Sequence, residues 1–356
     1  MAGRVTIQDI ADALGVSRNT VSKALNNTGI LAEATKEKVL QKAMEMGYKQ
    51  FSYVNYTNQM EPGYLAPASE DCSEIALFTA YFMDNSHFGR SMLDKFQQEI
   101  SILGYSLTMH RVLPANLENM TLPASYNPER TAGIVCIELF NYEYAQMVCG
   151  LGKPTLFVDG PLPNKKGPLN TDFLCMDNQT HIFSVVNHMA EIGKTRIGFI
   201  GQYNHCTSFY ERYIAYRNAM YLAGLPIDES HCLIHNYPGV ERPNGEDYLR
   251  YLEAGIAKMD ALPDIFICAN DFVALDAMRV FKKLGISVPE DVYLCGFDDS
   301  PESRIVTPAL TTIHIHTQIM GFSAAQLLLS RIKEPTLNNR TIYTETSLIY
   351  RASTND

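Results

Sequence analysis

A chain of 356 residues with 46% hydrophobic and 19% charged residues has the composition of a folded protein and room for more than one domain, which sets aside disordered and fibrous classes. Its net charge of −10 excludes a protein basic throughout, yet residues 1–50 carry seven Lys/Arg against five Asp/Glu while the remainder carries 22 against 34. A mildly basic head on an acidic body confines contact with a polyanion to one end.

Residues 5–46 read as three short helices. Thr6 stands as an N-cap with Asp9 three residues on, and Ile7, Ile10, Ala11 and Leu14 follow at helical spacing. Gly15 makes the turn, Val16 plugs the corner, and Ser17 caps a second helix whose inner face is Val21, Ala24 and Leu25. A small residue, a turn glycine and a core valine at these offsets make a helix-turn-helix. Arg18, Asn19, Ser22 and Lys23 are left facing outward. Arginine and lysine suit guanine edges and asparagine suits adenine, so Arg18 and Asn19, at the helix start, are the best readers of base edges. Thr20, Ser22 and Asn26 suit phosphates, and Thr6 and Ser17 complete the DNA-facing set with Lys23. A third helix near 34–46 supplies Val39, Leu40 and Ala43 to a small core, with Gly47 as its C-cap. The plain alternative is a capped helical hairpin with a solvated polar face.

Residues 48–72 are polar, aromatic and Pro/Gly-bearing without a sustained period, as in a linker. From 74 onward strands and helices alternate. Strands are expected near 75–79, 105–110, 132–138, 154–158, 173–176, 196–201, 232–235, 264–269 and 292–297. Helices are expected near 88–103, 142–149, 182–192, 208–223, 246–258 and 274–284. Such alternation argues for parallel sheets covered on both faces, and about eleven strands are better divided between two lobes than held in one sheet. The eight cysteines show no C-x-x-C spacing, and buried free thiols of a reducing cytoplasm are expected. No apolar run is long enough to span a membrane, no N-terminal export signal is present, and no cofactor motif occurs. His314 and His316 lie on one face of a strand, but a surface or interface pair is favoured over a metal site.

Ligands of open α/β sheets bind beyond the carboxyl ends of the strands, which makes Tyr81, Tyr237, Asn270, Asp298 and the neighbouring Asp271 and Asp299 candidates. Acids and amides take hydroxyls, and flat rings face the C–H side of a sugar. Asp271 and Asp299 are as well explained as helix N-caps.

The head segment VTIQDIADALGVSRNTVSKALNN, followed after a spacer by AMEMGY, resembles the lac repressor (LacI/GalR-type) family. The likeness extends to Asp177-Asn178, to the helix bearing Arg212 and Tyr216, to ICANDFVALDAMRVFKKLGISVPEDVYLCGFDDS, and to the closing LIYRAST. It implies a helix-turn-helix head at 1–49, a hinge within 50–72, and a two-lobed body at 73–356 resembling periplasmic binding proteins. The implied crossovers lie near 175–176, 300–306 and 318–322. The first lobe would hold about 73–174 and 307–320, the second about 177–300 and 340–351. The resemblance places Arg212 on a ligand-contacting arginine and Phe88 on an aromatic cover, and implies dimerisation through helices near 92–103 and 321–329.

In the family, a hinge helix wedges a leucine into the operator's minor groove. This chain has Thr57 there, with Tyr53, Val54 and Tyr56 as substitutes, and a threonine unstacks a base step poorly. The implied function is a cytoplasmic, nucleoid-associated, homodimeric repressor. It would bind a near-palindromic operator under control of a sugar-like effector and without a cofactor. The rivals are a transporter's solute-binding protein and a sugar-acting enzyme with Asp298 and Asp299 as its acids.

Overall fold

Hydrophobic period decides where each element goes: a period near 3.6 buries one stripe of a helix, and an unbroken apolar run buries both faces of a strand. The computed structural model describes residues 5–25, 31–46, 48, 68–69, 72–80, 87–162, 167–234 and 245–354, without the side chains of 33, 37, 44, 87 and 88. By contacts the chain divides into two units, 1–65 and 66–356.

In the first unit, helices α1 (Ile7–Leu14), α2 (Arg18–Leu25) and α3 (Glu33–Glu45) close on one another. Ile10, Ala11, Val21, Ala24, Val39, Ala43 and Tyr48 form the core, with Leu14, Val16, Leu25 and Leu40 packed at its edge. Tyr48, where the head meets the linker in the sequence, packs in the head's core. Gly15 ends α1 at φ +64°, where a side chain would be strained although space is open around it. Gly47, expected as a C-cap, lies outside the described residues.

The second unit holds two six-stranded sheets. The first contains β1 (Glu74–Thr79), β2 (Ser106–Arg111), β3 (Thr131–Ile137), β4 (Thr155–Val158), β5 (Asp172–Met176) and β11 (Thr341–Thr344), in the order β11-β5-β4-β3-β1-β2 and parallel throughout. The second contains β6 (Ile197–Ile200), β7 (Cys232–Leu233), β8 (Ile265–Cys268), β9 (Tyr293–Asp298), β10 (Thr311–Ile315) and β12 (Thr346–Ile349), in the order β12-β10-β9-β8-β6-β7. Among the described residues, only the β10–β12 pair is antiparallel. Helices α4 (His87–Ile102), α5 (Pro114–Asn119) and α6 (Tyr142–Cys149) belong to the first lobe; α7 (Thr180–Glu191), α8 (Thr207–Leu222), α9 (Glu246–Ile256), α10 (Asp271–Leu284) and α11 (Pro301–Ile305) belong to the second. Helix α12 (Thr317–Lys333) follows β10 but packs on α4 and against β3, β4 and β5.

This pairing corrects the expected lobe boundaries. Residues 307–315 belong to the second lobe, because β10 pairs with β9. Residues 341–344 belong to the first, because β11 pairs with β5. The chain thus crosses between lobes after Met176, between Ile315 and Thr317, and between Thr344 and Thr346, not at 300–306 or 318–322. The stretch 321–329, expected at a dimer interface, is largely spent inside the chain: Phe322, Ala324, Ala325, Leu327, Leu328 and Leu329 are buried. Gly321 allows this approach, since a Cβ there would meet the Met92 carbonyl oxygen at 2.4 Å.

All eight cysteines carry free thiols and six are buried. No helix among the described residues is long and apolar enough to cross a membrane.

Candidate functional site

The head presents its polar residues from a fixed frame. The Ser17 hydroxyl accepts the Thr20 amide at 3.0 Å and shares a 2.8 Å hydrogen bond with the Thr20 hydroxyl, so these two residues set the start of α2. Thr6 does the same for α1: its hydroxyl accepts the Asp9 amide, and its own amide donates to the Asp9 carboxylate at 2.7 Å. With Val21 and Ala24 buried, Arg18, Asn19 and Lys23 are exposed, and Thr20 and Ser22 are half-buried. The surface of α2 is therefore a short polar strip whose first turn leads with a guanidinium and an amide. Asn26 and the hinge candidates Tyr53, Val54, Tyr56 and Thr57 lie outside the described residues.

In the body, strand ends converge on one buried arginine. Arg212, on α8, is 2% exposed. Its Nε donates to the Asn178 side-chain oxygen at 2.9 Å and one terminal nitrogen donates to the Ala269 carbonyl at 2.6 Å. Its guanidinium stacks on the Phe297 ring at 3.5 Å and stands 3.7 Å from the Asp298 carboxylate. Burial raises the Asp298 pKa to about 8; Arg212 opposes this, and Asp271, Asp159 and Glu138 add to it. Asp159 and Glu138 follow strands of the first lobe, and Asp271 follows one of the second.

Backbone strain marks the same place. Five described non-glycine residues have positive φ, and four are acids at or just beyond strand ends: Glu138 after β3, Asp159 after β4, and Asp298 and Asp299 at β9. Such conformations cost free energy and cluster at binding sites. Asp159 bridges the lobes: its carboxylate accepts the Gly160 amide at 2.8 Å and, from α8, the Ser208 amide at 3.1 Å. The rings of Phe140, from the first lobe, and His205, from the second, meet edge-on at 5.0 Å. Burial lowers the His205 pKa, and the nearby Asp159 opposes that shift.

The structure therefore brings Arg212 and Asp298 together and sorts the other candidates. The Asn270 side-chain oxygen accepts the Val273 amide at 3.0 Å, which makes Asn270 the N-cap of α10. Asp271 is not that cap: its carboxylate accepts from the Thr312 hydroxyl at 2.6 Å and the Ser300 amide at 2.7 Å. Asp299 is no cap either. It binds Arg304, Arg351 and His314, and although burial raises its pKa, those three bonds outweigh burial and hold it well below the usual range. His314 and His316, expected as a surface or interface pair, bond within the second lobe: His314 to Asp299 at 3.0 Å, and the buried His316 to Ser347 at 2.9 Å. Tyr81, Tyr237 and the Phe88 side chain lie outside what is described. Sequence reasoning missed Asp159 and Glu138, although each follows an apolar strand as Asp298 does.

Comparison with known proteins agrees with this two-part organisation. The pattern of the "Bacterial regulatory proteins, lacI family" matches residues 6–50, and that of a "Periplasmic binding protein-like domain" matches residues 186–354. The chain is 27% identical over 352 residues to the HTH-type transcriptional regulator GalR of Lacticaseibacillus casei, covering 98% of this chain and 99% of that one. It is 28% identical over 335 residues to the HTH-type transcriptional repressor PurR of Haemophilus influenzae, covering 92% and 91%. Among solved structures, a complex of the regulator CelR with cellobiose superposes with a TM-score of 0.68 at 23% identity, covering 98% and 100%. A lac repressor dimer bound to operator and an anti-inducer superposes at 0.64 and 18% identity, covering 99% of each chain.

Proposed function

Because this chain belongs to the lacI family of bacterial regulatory proteins and is a DNA-binding transcriptional regulator rather than an enzyme, we propose a division of labour within it. Residues 1–49 bind DNA, 50–72 form the hinge, and 73–356 sense a small effector and dimerise. Arg18 and Asn19 read base edges, with Lys23, Thr20, Ser22 and Asn26 toward phosphates. Thr6 and Ser17 act chiefly by fixing the helix starts.

The effector sits between the lobes against Arg212 and Asp298, with Asp159 and Glu138 from the first lobe. The observation that carries this reading is the 3.7 Å gap between the buried Arg212 guanidinium and Asp298, at the carboxyl ends of the second lobe's strands. A sugar or sugar derivative fits, since its hydroxyls satisfy carboxyl groups and its C–H faces meet Phe140 and Phe209, whose rings lie 5.0 and 5.2 Å from that of His205. CelR is solved with cellobiose, and the lac repressor with ONPF and operator as a dimer. By likeness we assign this chain a homodimer on a near-palindromic operator, acting as a repressor in the cytoplasm on the nucleoid.

Selection of bound DNA from a random pool, with and without a mixture of sugars and nucleobases, tests the reading. A two-fold symmetric site that appears or vanishes with the mixture is expected. No enrichment in either condition overturns it.

A further inference from the structure

Helix α8 belongs to the second lobe: it follows β6, and its Tyr216 hydroxyl donates to the Ile197 carbonyl at 2.8 Å. Its first turns are nevertheless tied to the first lobe at two separate places. At the helix start, the Thr207 amide donates to the Gly160 carbonyl at 3.0 Å, the Thr207 hydroxyl to the Pro161 carbonyl at 2.9 Å, and the Ser208 amide to Asp159. Cys206, at the N-cap position, supplies no side-chain cap, so the Asp159 carboxylate of the other lobe takes that place.

One turn on, Glu211 makes the second tie. Its Oε1 accepts the hydroxyl of Tyr343 at 2.8 Å, and Tyr343 lies on β11, the edge strand of the first sheet. Its Oε2 accepts the Asn178 amide nitrogen at 2.7 Å, and Asn178 in turn holds Arg212 through its side-chain oxygen. A single line of hydrogen bonds thus runs Tyr343–Glu211–Asn178–Arg212 and ends at the group that faces Asp298. Asn178 is 1% exposed, and burial raises the Glu211 pKa against the two bonds it accepts. Lengthening the Tyr343–Glu211 contact removes one of the two hydrogen bonds that hold the Glu211 carboxylate in place against the Asn178 amide, which in turn fixes the Arg212 plane.

We propose that Glu211 and Tyr343 are positioning residues that fasten the effector-facing guanidinium of Arg212 to the edge strand of the first lobe, so that cleft occupancy and lobe angle are set together. The proposal rests on the effector reading of the cleft, because Arg212 is the residue being positioned. Neither residue need touch the ligand. Tyr343 is half exposed and contributes a hydroxyl only, so Tyr343→Phe keeps the packing and removes the tie. Glu211→Gln keeps the shape and weakens both ends, since an amide offers one acceptor oxygen where the carboxylate offers two.

The test uses the full chain and hydrogen exchange of the Thr207 and Ser208 amides, which donate across the lobes and so report lobe contact directly. Expected is exchange at least about fivefold faster at both amides in Tyr343→Phe, with the melting temperature within about 2 °C of wild type. Unchanged exchange in both Tyr343→Phe and Glu211→Gln overturns the proposal. So does faster exchange spread evenly over both lobes, because that is the mark of a merely structural role.

A second arm titrates wild type and Tyr343→Phe with cellobiose, D-galactose and hypoxanthine, following heat of binding. A probe that binds wild type is expected to bind Tyr343→Phe with a dissociation constant shifted by roughly tenfold, the worth of one hydrogen bond to a charged group. An unshifted constant overturns the proposal. If no probe binds wild type, the sugar-effector reading of the cleft loses its support, while the exchange measurement still decides whether Tyr343 and Glu211 hold α8 to the first lobe.

Discussion

Arg212 and Asp298 stand 3.7 Å apart, near enough to attract and too far to hydrogen-bond. Among the described residues Arg212 is the ion-pair partner of the Asp298 carboxyl, so a hydroxyl inserted between them meets a carboxyl oxygen on one side and a cation on the other. Arg212→Ala is expected to abolish the change in operator affinity on adding effector and to leave effector-free operator binding within about twofold. Fluorescence anisotropy with a labelled operator measures both. Loss of operator binding without effector would show that Arg212 holds the lobes together and does not sense.

The pH dependence of Asp298 follows from its raised pKa. An acid whose folded pKa lies above its unfolded 3.8 binds an extra proton in the folded state between about pH 4 and 8, so stability falls as pH rises through that window. Asp298→Asn removes the cost. It is expected to leave urea stability at pH 4 unchanged and to raise it at pH 8.5 by on the order of 2 kcal/mol.

Asp299 has the opposite sign. Its pKa is held low by His314, Arg304 and Arg351, so the stability it contributes is present above its unfolded 3.8 and lost as pH falls below about 4. Arg351 also donates to the Ser303 hydroxyl and the Leu310 carbonyl, which ties the C-terminal segment to the second lobe. Arg351→Gln is expected to cost about 3 kcal/mol at pH 7, and the difference from wild type should shrink below pH 4.

On the head, Arg18→Ala should cost about 1–3 kcal/mol at one base position and relax specificity there. A competition series across single-base operator variants checks this. A uniform loss across all variants would make Arg18 a phosphate contact.

Gly321 tests the fold more than the function. Gly321→Val sets two methyls beyond a Cβ already 2.4 Å from the Met92 carbonyl and 2.7 Å from Lys95, so α12 must lift from α4. Urea unfolding should show a loss of about 2–3 kcal/mol. An unchanged midpoint would mean that the two helices separate freely.

How much was readable beforehand follows from what each residue type can say locally. The capped helices of the head, and runs such as AGIVCI and IFIC, carry their structure in their own period. The sheet to which a strand belongs is not written in it: β10 reads TTIHI and β11 reads TIYT, and pairing alone sends one to each lobe. For that reason the expected lobe boundaries failed at these two strands. The cleft was half legible. Arg212 came from resemblance and Asp298 from its place after a strand, while Asp159 and Glu138 obey the same positional rule and were passed over. Asn270 shows the limit of that rule, because a residue after a strand is also a residue before a helix, and here capping claims its oxygen. The contact between Tyr343 and Glu211 joins positions 132 residues apart and leaves no local sign.

The three crossovers lie side by side. Met176 pairs with Thr344, and Ile315 pairs with Thr346, so a single residue, Glu345, separates the two seams. The Thr344 hydroxyl donates to the Cys175 carbonyl and the Thr346 hydroxyl to the Asp177 carbonyl, lacing the third crossover to the first on both sides. Three crossovers set so close together bring the hinge points of the two lobes to one place, about which a relative turn of the lobes would pivot.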